Sequence, residues 1–181
     1  MTLLCAGFVA VVFVASCALL VYGLVHRGAL ATGPARFGVV SFELTFTEDR
    51  AVSILDTWRA RDLVGRARRE IRRDYAFIVF YTLFIGGACL CADVLLQDRA
   101  ARLPALGRWF AAATVVAAAL DAVENWAMLR MLDGPVKQPW PLLASACASL
   151  KFVLVILALA FLLASLVAWL AAGRPPSLSS A

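Results

Sequence analysis

The feature that most constrains this chain is a set of long apolar runs, the first of which, residues 3–25, holds no charge. A run of about 20 apolar residues is long enough to cross a bilayer as a helix. Its backbone must then satisfy its own hydrogen bonds, because the hydrocarbon offers no partner. Similar runs are expected at about 74–96, 109–131 and 142–172. Hydrophobic residues make up 63% of the chain and the mean hydropathy is +0.86, well above a soluble domain. The expected fold class is therefore an all-α membrane protein with four transmembrane helices packed as a bundle, residues 1–181 forming one membrane domain. The N-terminus, "MTLL", lacks the basic start and small-residue cleavage motif of a signal peptide, so the first run reads as a retained span.

The segment between the first two spans, 26–73, is the one substantial polar stretch. Thr45 and Glu48 have capping-box spacing. Ala51, Ile54, Leu55 and Trp58 follow at helical spacing, predicting an amphipathic helix over about 47–62, on the membrane surface or against the bundle. "GRARREIRRD" is a basic helical lead-in to the second span. Pro135, Pro139 and Pro141 mark a turn before the fourth.

Net charge is +5, and 15 of the 17 basic residues are Arg, a bias associated with GC-rich bacterial genomes. Ten basic residues fall in the first loop and two in the third, against three in the second loop and one in the tail. Basic loops stay on the cytoplasmic side. The expected location is thus a bacterial inner membrane, with both termini outside the cytoplasm. The charge is orientation signal rather than a nucleic-acid footprint. The Arg-rich stretch 50–73 also suits anionic lipid headgroups. Beyond the lipid bilayer, other membrane subunits are conceivable partners. Cys5, Cys17, Cys89, Cys91 and Cys147 all lie in apolar runs without a Cys-x-x-Cys pair and read as small apolar residues.

Chemistry concentrates in the third span. Asp121, Glu124 and Asn125 lie three and four residues apart, on one face, about 13, 9 and 7 Å above Arg130 at the interface. Ala118 and Thr114 continue that face. On the second span Asp74 lies at the base and Tyr81 about 10 Å up, beside a small or polar stripe of Thr82, Gly86, Cys89 and Asp93. Tyr22 and His26 end the first span. These groups should converge at one level. Lys151 could supply the counter-charge, either deep in the fourth span or, if that span begins at Phe152, snorkelling at the surface. Asp93 should be solvated or paired with Arg99.

Ionisable residues within a span usually face the interior, with a partner or a function. The leading expectation is a polar pocket in the cytoplasmic leaflet that binds a small amphiphile or lipid. Its ligand-binding residues would be Asp74, Tyr81, Asp121, Glu124, Asn125, Lys151, His26 and Tyr22. The alternatives are an enzyme using Glu124 or Asp121 as acid or base, and an accessory subunit whose polar stripe packs a larger complex. One His among carboxylates without ligand spacing gives no metal site, and no motif names a cofactor. The combination "FTEDRAVSILDTW", "DYAFIVFYTLF" and "LDAVENWAML" resembles a group of small bacterial inner-membrane proteins with four spans. The resemblance implies that fold but brings no activity and no functional residues.

Overall fold

The computed structural model describes residues 30–96 and 106–171, together with Val21. The first expected span, with Tyr22, His26, Cys5 and Cys17, lies outside the described residues, as do Arg99 and the tail. Five helices follow in order: α1 (Val39–Glu43), α2 (Glu48–Ala60), α3 (Val64–Leu96), α4 (Gly107–Asp133) and α5 (Trp140–Ala171). No strand occurs among the described residues. The last three helices are long and apolar enough to cross a membrane, as a multi-pass membrane protein requires.

The second span extends further back than expected. α3 begins at Val64, so its 33 residues reach about 50 Å, against about 30 Å of hydrocarbon. Its Arg-rich first turns and its apolar remainder are one continuous helix. α5 starts at Trp140 rather than after Pro141. A proline in a first turn gives up an N–H that has no intrahelical partner there. Outward-facing apolar side chains on α5, among them Val153, Ile156, Leu163 and Leu166, stay exposed, as a lipid-facing surface would.

α2 buries Ala51, Ile54, Leu55 and Trp58, the residues set at helical spacing. The Trp58 indole N–H donates to Leu30 O at 3.1 Å and its ring packs on Phe42 at 5.3 Å. The capping box does not form. The N-cap is Thr47, while the Thr45 hydroxyl turns back to donate to Phe42 O. Glu48 instead accepts the Gln138 backbone N–H. Thr45 is fully buried, so its hydroxyl takes the nearest carbonyl rather than reaching the helix start.

Two apolar layers make the core. One joins Leu30, Phe42, Leu55, Trp58, Ile71 and Met128. The other joins Ile78, Tyr81, Ile85, Cys89, Ala158 and Phe161, with Phe110 stacked on Phe161 at 4.7 Å. On each long helix the layers are separated by a gap: between Ile71 and Phe77 on α3, Ala122 and Ala127 on α4, Ala144 and Val155 on α5. Polar residues fill that gap.

α3 and α4 meet closely away from this level. Asp93 is half-buried, its expected partner Arg99 lies outside the described residues, and it caps α4. Its Oδ1 accepts the Gly107 N–H at 2.8 Å and its Oδ2 the Arg108 N–H at 3.1 Å. A carboxylate is favoured there by the free donors and the helix dipole. A methyl group on Gly107 would sit 2.6 Å from Asp93 Oδ1 and against the Cys89 carbonyl. Gly107→Ala is therefore expected to cost about 1–3 kcal/mol, as overpacking against fixed atoms does. Gly33→Ala, with nothing within 4 Å of the added carbon, should leave the melting temperature in detergent unchanged. Equal melting of the two variants would refute this close packing.

Candidate functional site

The polar layer is built around Lys151 on α5. Its ammonium lies 2.6 Å from Asp121 Oδ1 and 2.8 Å from Glu124 Oε2. Lys151 is 7% exposed, so it does not snorkel. Asp121 and Glu124 are one turn apart on the same face of α4, and both carboxylates close on one cation. Asn125, on the adjoining position, donates from Nδ2 to Asp74 Oδ2 on α3 at 2.8 Å. Three helices thus meet through three short contacts at one level. Asp121, Glu124 and Asn125 are all essentially buried.

The Tyr81 hydroxyl is directed at Asp121 but makes no hydrogen bond of good geometry. Glu124 Oε1 is buried and accepts no hydrogen bond. Thr114 spends its hydroxyl on the Ala111 carbonyl and packs against Gly86, where an added methyl would lie 2.9 Å from its oxygen. The small residues thus set a close helix contact rather than a binding surface. Cys89 is buried and Cys91 half-buried on another face; neither these nor Cys147 forms a disulfide among the described residues.

Two contributors were not legible in the sequence. Glu43, at the end of α1, lies near enough to act electrostatically on Glu124 and Lys151. It is delivered by Ser145 of α5, whose hydroxyl donates to Glu43 O at 2.7 Å and accepts the Phe46 N–H at 2.8 Å. Phe46 adopts a left-handed φ of 56°, uncommon for a bulky residue, at the turn that Ser145 holds. Glu43 sits in "SFELTF", and its only sequence signal was an acidic residue among apolar ones.

Beside the polar layer is a cavity of about 110 Å³, lined among the described residues by Leu30, Val39, Val40, Glu43, Glu70, Ile71, Asp74 and Asn125. Asp74 and Asn125 therefore face open space, whereas Asp121, Glu124 and Lys151 are spent on one another behind them. The expected site divides in two: an ion cluster inside the bundle and a cavity wall next to it. No group of three or more His, Cys, Asp or Glu among the described residues is placed to hold a metal ion.

Comparison with protein-family models finds no match, and comparisons with curated proteins and with solved structures find none either. Function must be argued from the geometry.

Removing one member of a buried ion group strands the others, at about 3–5 kcal/mol, whereas replacing the whole group by neutral side chains is close to neutral. Lys151→Met should therefore strongly destabilise the protein. The triple variant Lys151→Met, Asp121→Asn, Glu124→Gln should recover most of the loss in a detergent melt. A triple variant no more stable than Lys151→Met would show that the charges are not a self-contained group.

Proposed function

We propose that this is a multi-pass inner-membrane protein that binds a small cationic amphiphile, its ammonium group in the cavity beside Asp74 and Asn125. The observation that carries this reading is the lining. Its polar side chains are three carboxylates and one amide, no described basic side chain lines it, and the remainder is aliphatic. Glu70 already meets Arg73 at 3.5 Å, Asp74 accepts from Asn125, and Glu43 is within electrostatic reach of Lys151. The acceptor-rich wall still suits a donor headgroup, and Leu30, Val39, Val40 and Ile71 suit the first carbons of its chain. The arginine-rich first loop supports assigning this end of the bundle to the cytoplasmic leaflet.

An acid–base role for Glu124 draws support from its unpartnered Oε1. Its other oxygen is held by Lys151, however, and Glu124 does not line the cavity. Binding is therefore the stronger reading. Asp121 and Glu124 take the part of a rigid floor, and Lys151 keeps them from competing for the ligand's charge.

The test is equilibrium binding of an alkylammonium, an alkyl alcohol and an alkyl sulfate of equal chain length to the protein in nanodiscs. The alkylammonium should bind best. Loss of a charged hydrogen-bond partner is worth about 1.5–3 kcal/mol, so Asp74→Asn should weaken it by about tenfold or more. Equal binding of the alcohol, or an unaffected Asp74→Asn variant, would overturn the reading. Turnover of a substrate with a pH profile that moves on Glu124→Gln would favour the enzyme, and stoichiometric co-purifying subunits without ligand would favour an accessory role.

A further inference from the structure

A second site lies at the connection between α4 and α5 and is independent of the cavity. Arg130, one turn from the end of α4, is exposed. Its guanidinium carbon lies 5.6 Å from the Trp126 ring centre and 5.9 Å from that of Trp140. The two indoles meet edge to face at 5.1 Å. Both rings lie within cation–π reach of the guanidinium and hold it beside the indole pair, with its N–H donors still to be partnered.

No described carboxylate takes those donors. Asp133, the acid one turn further along α4, pairs with Arg68 of α3. Arg59 and Arg73 have Asp56 and Glu70. Arg130 thus differs from these three arginines: it is oriented by aromatic rings and has no anion.

The surface above it is apolar. Ala112, Val116, Ala119, Val123 and Trp126 are exposed at alternating spacings of four and three, in line with Arg130. That stripe runs about 21 Å along the helix. A tryptophan pair, an arginine and an apolar track above them match the order of a lipid from headgroup to chain.

We propose that Arg130, held beside the edge-to-face pair of Trp126 and Trp140, binds the phosphodiester of an anionic phospholipid whose acyl chain lies along the exposed face of α4. The guanidinium fork matches two phosphate oxygens in a way that a lysine ammonium does not. The anionic headgroup supplies the negative charge that the surrounding protein withholds, and its net charge favours it over a zwitterionic lipid.

Native mass spectrometry of the full chain in detergent, titrated with phosphatidylglycerol, phosphatidylcholine or inorganic phosphate, tests this. The wild type should retain one phosphatidylglycerol in preference to phosphatidylcholine. Arg130→Gln should lose that retention by about tenfold or more. Arg130→Lys should recover only part of it, and Trp126→Leu with Trp140→Leu should also weaken it although the charge remains. A melting temperature within the wild-type range verifies that each variant is folded. The proposal is overturned if Arg130→Gln retains the lipid like the wild type, or if Arg130→Lys restores it fully. Equal retention of phosphatidylcholine overturns the anionic preference. Displacement of the lipid by inorganic phosphate at comparable concentration overturns the lipid as the source of the phosphate.

Discussion

One ammonium, buried between two carboxylates, fixes the arrangement of the bundle. Helices in lipid gain little by hiding apolar surface from one another, because the lipid is as apolar as they are. The layers around Ile71 and Met128 on one side, and Ile78 and Phe161 on the other, fill space but tolerate sliding. Lys151 does not: a shift of α5 by one turn would pull its ammonium off Asp121 and Glu124 and leave all three charges without partners. The same α4 face passes the constraint to α3 through Asn125 and Asp74. Register is thus set in a thin polar stratum, and the apolar layers pack to suit it.

This arrangement was legible in part. The spacing of Asp121, Glu124 and Asn125 is a property of one helix and reads directly from the chain, as do the helical face of Trp58 and the three described spans. Lys151 was ambiguous for a physical reason. An apolar run longer than the bilayer has no internal marker of depth, so both a buried and a snorkelling position satisfy hydropathy. Glu43 and Ser145 were invisible because they meet across about a hundred residues, through a turn whose shape comes from the partner and not from its own sequence. The capping role of Asp93 was hidden in another way. A carboxylate near a helix end looks solvated unless one knows which helix begins opposite it. The capping box failed because local spacing competes with burial, and Thr45 was buried.

The split between ion cluster and cavity has a bearing on how such a site could be used. Asp74 belongs to the polar layer and to the cavity wall. It accepts from Asn125 to tie α3 to α4, and it forms part of the cavity wall. A group bound there would compete for, or add to, a contact that also holds two spans together. Occupancy and helix packing are therefore linked at a single carboxylate, without any need for motion through the apolar layers.

Asp93 carries a quieter consequence. By taking the first two backbone donors of α4 on its own two oxygens, it fixes where the next helix begins relative to the last. The spacing of two helices is thereby tied to one side chain. Register at this end of the bundle is held by charge on backbone donors, not by apolar contact.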